Sequence, residues 1–308
     1  MENIVFGPVI SRRFGLSLGV DLSPSAKQCN FDCLYCELEG KRAMAKMEEV
    51  LELEVLVQSV LKALRQNPKI DVLTITANGE PTLYPYLFEF MEAIKPYVPS
   101  NVATLILSNG SRFGHKEVQR ALCLFDIVKF SLDGADTESF LRVDRPHRDI
   151  SLGGILEGIR DFAKIYHGEL VAEVLLVEGV NDTASNIQSI VKFLQQISVS
   201  RIDLGTIDRP PAHKANALSY EQLSMIAREF EGMYVSLPLR KQDMDFMGLA
   251  YSKEALIEFI ARRPVSVSEA LILFEKATLE RLEILLHEGK ISRKKVANLE
   301  FYTLKREK

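Results

Sequence analysis

Three of the four cysteines in this 308-residue chain lie within eight residues of one another, as Cys29, Cys33 and Cys36. Where thiols stay reduced, such a group favours metal binding over disulfide formation. Gaps of three and two residues let the three thiolates converge from one short loop onto three corners of an iron–sulfur cube, which leaves one iron without a protein ligand. An electron-transfer ferredoxin fills all four positions with cysteine, so the loop predicts that a small molecule occupies the fourth.

A zinc site made of three cysteines and one histidine is the alternative for the same loop. Five histidines are present, but the nearest one downstream is His115, and no second pair of ligands accompanies the loop. The fourth cysteine, Cys123, lies in an apolar run and is expected to be a small core residue. The pattern therefore favours an iron–sulfur cluster, with zinc as the alternative.

The cysteine loop resembles that of the radical S-adenosylmethionine (radical SAM) superfamily, because its spacing is Cys29-x3-Cys33-x2-Cys36 and the aromatic Tyr35 directly precedes the last cysteine. The resemblance implies a 4Fe–4S cluster held by the three cysteines and S-adenosylmethionine chelated on the open iron, with Tyr35 near the adenine. It also implies an external low-potential electron donor, and a 5'-deoxyadenosyl radical that abstracts hydrogen from a substrate.

Short apolar strands and amphipathic helices alternate around this loop. The segments that read as strands are Leu16–Leu22, Asp71–Ala77, Val102–Ser108, Asp126–Leu132, Leu170–Val177 and Arg201–Ile207. The segments with helical spacing of apolar residues are 48–65, 85–96, 115–124, 151–167, 184–198 and 219–231. This alternation predicts an α/β fold with a parallel sheet covered by helices. Six βα units are too few to close an eight-stranded barrel, and the resemblance implies a partial (βα)6 barrel, assigned to residues 1–240, with reactive groups at the carboxyl ends of its strands.

The second predicted strand ends in Gly79-Glu80-Pro81, which resembles the superfamily motif whose backbone holds the ammonium group of S-adenosylmethionine. A glycine there allows close backbone approach, and the proline stiffens the turn. The commoner form of the motif has two glycines, and Asn78 stands in place of the first.

Polar residues also follow the later strands. By resemblance, Ser108, Asn109, Ser131 and Asp133 match positions that bind the carboxylate and ribose of S-adenosylmethionine; as plain sequence, Asn109-Gly110 and Asp133-Gly134 are also compatible with ordinary turns. Asn181 is expected near the cofactor or, alternatively, at the cap of the next helix.

Two charged residues fall inside predicted strands. Lys129 shares a strand face with Ser131 and Asp133. The leading expectation is a structural ion pair between Lys129 and Asp133. The alternatives are that Lys129 forms a Schiff base or binds a substrate carboxylate. Glu173 in the fifth predicted strand has the same ambiguity.

Three basic segments complete the barrel region. Residues 142–148 read as a solvated loop, or alternatively as a site for an anionic substrate. Residues 209–213 and 7–15 are segments of the same kind, and residues 7–15 most resemble proteins related to the wyosine-base-forming enzymes of transfer RNA modification. These segments favour that branch. Those enzymes use further cysteines for a second cluster, whereas only Cys123 is spare in this chain.

The last part of the chain, residues 250–308, changes in pattern. It predicts three short helices, Lys253–Arg262, Val267–Glu275 and Leu279–His287, followed by a hairpin around 290–292 and 300–304. This order resembles a winged helix-turn-helix domain. Residues 290–308 carry a net charge of +5, so the hairpin could contact phosphates and hence RNA, although the glutamates of the third helix weaken its interpretation as a recognition helix.

The amino-acid composition excludes several classes of protein. The chain is 47% hydrophobic and 26% charged, with mean hydropathy near zero and a formal net charge of −4. These values exclude a disordered, collagen-like or coiled-coil protein and argue against a surface built to coat nucleic acid. No run approaches the length of a membrane span and no signal peptide is visible, so a cytoplasmic location is expected. The resemblance to the radical SAM superfamily implies an oxidoreductase or transferase whose substrate is unidentified. The alternatives are a transfer RNA-modifying enzyme of wyosine type and an iron–sulfur electron carrier or sensor with a nucleic-acid-binding tail.

Overall fold

The computed structural model describes residues 4–11, 13–237, 248–262, 264–296 and 299–305. The strands are β1 Val5–Ser11, β2 Gly15–Asp21, β3 Val72–Thr76, β4 Ala103–Ser108, β5 Ile127–Ser131, β6 Glu169–Leu176, β7 Arg201–Thr206, β8 Val235–Ser236, β9 Val265–Ser266, β10 Ile291–Val296 and β11 Leu299–Leu304. The α-helices are α1 Leu53–Gln66, α2 Leu87–Ile94, α3 Lys116–Leu122, α4 Thr137–Val143, α5 Leu152–Ile165, α6 Ala184–Leu194, α7 Tyr220–Ala227, α8 Lys253–Arg262, α9 Val267–Leu273 and α10 Lys276–His287.

An eight-stranded sheet with strands in chain order, β1 to β8, forms the centre of the molecule. Strands β2 to β8 are parallel, whereas β1 pairs antiparallel to β2. The expected α/β fold with a mostly parallel sheet is therefore confirmed, and the six predicted strands correspond to β2 through β7. Because parallel strands end at one edge, the loops after β2, β3, β4 and β5 meet there.

The sequence missed β1, β8 and α4. The register of β1 is irregular between Phe6 and Val9, so the segment lacks the clean alternation that marks a strand. The helix predicted at 48–65 begins only at Leu53, because the backbone N–H groups of Glu48 and Glu49 donate to the side-chain oxygen of Gln28. The first residues of the predicted 142–148 loop instead end α4.

The main core lies between the sheet and its helices, because each helix buries one apolar face. Helix α5, for example, buries Ile155, Ile159 and Phe162. Cys123, expected in the core, is exposed. It follows the last residue of α3, where the chain turns away from the apolar face that buries Leu122.

The carboxyl-terminal segment has its own apolar cluster. It contains Leu256, Phe274, Leu282 and Tyr302, and Val9 of β1 packs against it. Strands β10, β11 and β9 form a three-stranded sheet in that order. The predicted helices and hairpin are present, with small shifts at their ends. The boundary predicted between 240 and 250 falls largely on 238–247, which lie outside the described residues, and the assignment as a winged-helix domain stays a prediction.

Of the helices that the structure describes, none combines the length and the apolar character needed to cross a bilayer.

Candidate metal centre

The cysteine loop is attached to the end of β3 through the backbone of Gln28. Gln28 N–H donates to Asn78 O at 2.8 Å, and Glu80 N–H donates back to Gln28 O at 3.0 Å. Gly79 lies between these bonds with φ of 140°, and a Cβ there would collide with the carbonyl of Gln28. The close approach expected at Gly79 is present, and only glycine permits it.

Glu80 is buried and joins the ends of two strands. One carboxylate oxygen accepts from Thr82 N–H and from the hydroxyls of Thr82 and Ser108, and the other accepts from Asn109 N–H at 2.7 Å. Burial raises the pKa of Glu80, and these hydrogen bonds oppose that rise. The side chains of Glu80 and Ser108 thus form a hydrogen bond with each other. Pro81 is the first residue of the short 3-10 helix that follows.

Asn109 connects the end of β4 to the cysteine loop. Its Nδ2 donates to Asn30 Oδ1 at 2.7 Å and lies 3.9 Å from Cys29 Sγ. Asn30 in turn donates to the hydroxyl of Ser111 at 2.7 Å. The predicted residue Asn109 is thus beside a predicted cluster ligand.

Cys29, Cys33 and Cys36 are free thiols on one loop and are only partly exposed. Burial raises the pKa of Cys29 to about 12 and raises the pKa of Cys33 and Cys36 as well, and the charges of Cys29 and Cys36 add to the rise at Cys33. Phe31 N–H points to Cys29 Sγ at 3.4 Å.

This donor set fits an iron–sulfur cluster. Soft thiolates are the ligands that such clusters take, and N–H groups directed at the sulfurs stabilise their charge. Among the described residues, no group of three His, Cys, Asp or Glu side chains, the three cysteines included, is placed to hold a single metal ion. His213, which the fold brings to the loop, bonds Asp32 through Nε2 at 3.0 Å.

Tyr35 and Asp133 form a second contact between the loop and the sheet. The Tyr35 hydroxyl donates to Asp133 Oδ2, while Leu175 N–H donates to Oδ1 at 2.7 Å. Burial raises the pKa of Asp133 to about 7, and the nearby charge of Glu173 adds to this effect. Ser131 lies at the end of β5, opposite Glu173 of β6 and only partly buried.

Asn181 lies close to Asp133 but is fully buried. Its Nδ2 donates to the backbone oxygens of Asp133 and Leu175, each at 2.8 Å, and its Oδ1 accepts from Val177 N–H. The side-chain amide of Asn181 therefore fixes the conformation of this loop through hydrogen bonds to backbone groups. The alternative of a helix cap is wrong, because the side chain of Thr183 caps α6.

The expectation that Lys129 pairs with Asp133 is wrong. The Lys129 ammonium lies 2.6 Å from Glu173 Oε1 and 3.1 Å from Asp203 Oδ2. Arg13 also reaches Asp203, at 3.1 Å. Burial works against the ionisation of Asp203, but Lys129, Arg13 and Arg201 outweigh it and hold its pKa below the usual range. Lys129 thus belongs to an ion-pair network inside the sheet.

Sequence reasoning missed a charged cluster around Asp32, which lies between the first two cysteines. Its carboxylate is 3.6 Å from Lys27 Nζ, 3.2 Å from Arg145 and 3.0 Å from His213. Arg145 and His213 come from the two basic segments 142–148 and 209–213. Each of these two segments thus contributes one side chain that binds Asp32 and so holds the cysteine loop. The sequence feature that could have revealed this cluster is the charged residue Asp32 between Cys29 and Cys33.

The buried carboxyl of Asp144 is the second group that the sequence did not reveal. The Cys33 thiol points to Asp144 Oδ1 at 3.7 Å. Burial raises the pKa of Asp144, and the charge of Asp133 adds to the rise.

Comparison with known proteins identifies the family. A family model described as the radical SAM superfamily matches residues 24–194, more than half of the chain, including the cysteine loop and strands β3 to β6. The chain belongs to the radical SAM superfamily. A UPF0026 protein of Helicobacter pylori is 52% identical over 301 residues, which are 97% of each chain.

Solved structures share the fold. A radical SAM methyltransferase from Sphaerobacter thermophilus matches with a TM-score of 0.56 and 16% identity, over 72% of this chain and 65% of that one. A structure of TYW1 with a lysine-pyruvate adduct bound matches 94% of this chain and 80% of its own, with a TM-score of 0.46 and 17% identity. The family model thus confirms the resemblance to the radical SAM superfamily that the sequence predicted.

Membership of the superfamily establishes the class of chemistry. The protein is an enzyme that uses a 4Fe–4S cluster and S-adenosylmethionine, and it depends on an external electron donor.

The contact at Gly79 gives a prediction about stability. Gly79→Ala should lower the free energy of unfolding by about 2 kcal/mol or more, because the new Cβ strains a positive-φ residue and pushes the cysteine loop away from β3. Urea unfolding measures the change.

Gly205→Ala is the matched control, because a Cβ at Gly205 meets no atom within 4 Å. Equal effects of the two substitutions would show that the Gly79 contact contributes nothing specific to stability.

Proposed function

We propose that Cys29, Cys33 and Cys36 hold the 4Fe–4S cluster of this enzyme and leave one iron open for S-adenosylmethionine. The observation that carries this proposal is the placement of three free thiols on one short loop that is fixed to the carboxyl ends of β3, β4 and β5. When bound, the cluster supplies an electron that cleaves S-adenosylmethionine to a 5'-deoxyadenosyl radical, which takes hydrogen from the substrate.

The chain's own residues then bind and orient S-adenosylmethionine. The backbone at Gly79 and Pro81 lies beside the cysteine loop and suits the ammonium group, because carbonyl oxygens are concentrated at the strand end. Asn109, Ser131 and Asp133 are the polar groups proposed for the carboxylate and ribose, and Tyr35 for the adenine. Glu80, Ser108 and Asn181 support this set through hydrogen bonds to the loops.

We propose that the substrate binds at the inner face of the sheet. Leu107 and the side chain of Glu173 each keep 37% exposure, although both lie on strands at its centre. Gly205 on β7 also faces open space. The Lys129 network closes the sheet beneath them. An oxidoreductase or a transferase is compatible with this cavity.

We further propose a cytoplasmic location, because free thiols and a reducible cluster suit a reducing compartment.

Cleavage of S-adenosylmethionine tests the proposed ligands. After anaerobic reconstitution and reduction with dithionite, wild type should release 5'-deoxyadenosine from S-adenosylmethionine, detected by chromatography. Cys33→Ala should fall to background, because the cluster loses a ligand. Cys123→Ala is the matched control and should retain the activity, because Cys123 is exposed on α3 and away from the loop.

A stable cluster in wild type without any cleavage would contradict the proposal and favour the electron carrier or sensor. Absence of iron–sulfur absorption would favour zinc.

RNA is the proposed macromolecular partner of the carboxyl-terminal segment, taken as a winged-helix domain of residues 250–308. Lys294 and Lys295 are exposed on β10, and Lys294 Nζ lies 3.5 Å from the carbonyl of Pro211, in the loop that follows β7. The basic hairpin is thus beside the edge of the sheet where the cysteine loop lies. A transfer RNA substrate, as in the wyosine-type alternative, suits this arrangement.

Binding of an unmodified transfer RNA transcript tests this partner. The double variant K294E/K295E should weaken binding about tenfold or more and reduce its salt dependence, because phosphate contacts are lost. Lys192→Glu, exposed on α6, is the control and should bind as wild type does. Equal binding by all three proteins, or no binding by wild type, would rule out RNA recognition by the hairpin.

A further inference from the structure

Glu173 is a partly exposed carboxylate on a central strand of the sheet. It lies on β6, and its side chain keeps 37% exposure although β5 and β7 flank that strand. The Lys129 ammonium donates to Oε1 at 2.6 Å, and Arg13 approaches the same oxygen at 3.7 Å. Among the residues that the structure describes, no hydrogen bond or ion pair reaches Oε2. One oxygen of this carboxylate is therefore available as a hydrogen-bond acceptor.

The ion-pair network of Lys129 holds the carboxylate in place. The Lys129 side chain is only 9% exposed, and its ammonium also lies 3.1 Å from Oδ2 of the fully buried Asp203. Asp203 is already bound by Arg13 at 3.1 Å and by Arg201 at 2.8 Å. Lys129 therefore depends on Glu173 for much of its charge compensation, because a buried cation is costly without a partner.

Open space and the residues proposed for S-adenosylmethionine lie next to this carboxylate. Ser131 of β5 is opposite Glu173, and Gly205 of β7 is opposite Leu175, two residues further along β6. A Cβ at Gly205 would meet no atom within 4 Å. Leu175 N–H donates to Asp133 at 2.7 Å. A group bound by Glu173 would thus lie beside Ser131 and Asp133, both of which are proposed for S-adenosylmethionine.

The charge of Glu173 determines which groups can bind there. A carboxylate oxygen accepts hydrogen bonds, and a ligand that displaces its water must supply a donor in return. A substrate carboxylate or phosphate would meet the negative charge of Glu173 before it reached the covered Lys129 ammonium. An N–H group satisfies the oxygen, and a positively charged N–H group forms the stronger bond. Lys129 is therefore poorly placed to bind a substrate carboxylate, which the sequence left open as an alternative.

We propose that Glu173 binds a nitrogen group of the substrate, which donates an N–H hydrogen bond to Oε2, and so holds the substrate beside S-adenosylmethionine. This inference rests on the proposed function, which places the substrate at the inner face of the sheet. It narrows the substrate to molecules with an amine, amidine or amide group. Lys129 is the positioning residue of this site, because it contacts Glu173 and not the substrate.

Ligand-observed nuclear magnetic resonance titrations with three small molecules of similar shape test the proposal. The probes are acetamidinium, acetamide and acetate, each added to the reconstituted protein with and without S-adenosylmethionine. Acetamidinium should bind more tightly than acetate, because it offers N–H donors and acetate offers none. Acetamide has the donors without the charge, so its affinity shows whether the substrate nitrogen must be charged. Binding should persist in the presence of S-adenosylmethionine, because the two sites are adjacent and separate.

A charge-neutral variant tests the residue itself. Glu173→Gln should weaken acetamidinium binding about tenfold or more, because a charged hydrogen-bond partner is lost. Glu178→Gln is the matched control and should bind the probe as wild type does, because Glu178 is exposed in the turn after β6.

Four results would overturn the inference. These are tighter binding of acetate than of acetamidinium, equal acetamidinium binding by wild type and Glu173→Gln, no binding of either nitrogen probe, and displacement of the probe by S-adenosylmethionine. Displacement would assign Glu173 to the site of S-adenosylmethionine instead.

Iron and sulfide analysis of the same samples separates this inference from the proposed function. A wild type that holds no cluster but binds acetamidinium through Glu173 would contradict the ligand set and support the nitrogen site. A wild type that holds a full cluster, cleaves S-adenosylmethionine and binds no nitrogen probe would contradict only the role of Glu173.

Discussion

The contact between the backbone of Gln28 and the turn at Gly79 is the constraint on which the site depends. Because Gly79 has no side chain, Gln28 can exchange hydrogen bonds with both Asn78 and Glu80. This places the cysteine loop at the carboxyl end of β3. The buried carboxylate of Glu80 then extends the connection to β4 through Ser108 and Asn109. The loop proposed to hold the cluster is thereby fixed by backbone geometry.

Charge inside the molecule is arranged in two separate groups. On strands β5 and β7, Lys129 and Asp203 form a network of ion pairs that Arg13 joins. Around the cysteine loop, Lys27 and Asp32 lead a second group, to which the loops after α4 and β7 contribute Arg145 and His213. Such pairs are costly to break because each leaves a buried charge behind. The first group lies within the sheet, and the second connects the cysteine loop to the loops that follow α4 and β7.

The sequence predicted the features that depend on local pattern. Strands β2 to β7 follow from short apolar segments, and the cysteine spacing pointed to the family and its cofactors. The cysteine loop and the Gly79 turn were located because both are continuous motifs. Strand β1 was not predicted, because its irregular register breaks the alternation on which strand prediction relies.

The partners of charged residues could not be predicted, because they are set by contacts between distant parts of the chain. Asp32 and His213 are 181 positions apart, and Lys129 could be paired only by knowing which strands are neighbours. The local expectation chose Asp133 for Lys129, since both lie on one strand face. In the structure, Asp133 instead accepts hydrogen bonds from the Tyr35 hydroxyl and from the backbone of β6. Cys123 was misplaced for a similar reason, because an apolar run does not show which side of a helix end faces solvent.

The most direct test of the account is electron–nuclear double resonance on the reduced, reconstituted protein with S-adenosylmethionine labelled with nitrogen-15 in its amino group and oxygen-17 in its carboxylate. The account predicts hyperfine coupling of the cluster spin to both labels, because three cysteines leave one iron open to that ligand. A well-formed reduced cluster that shows coupling to neither label would contradict it.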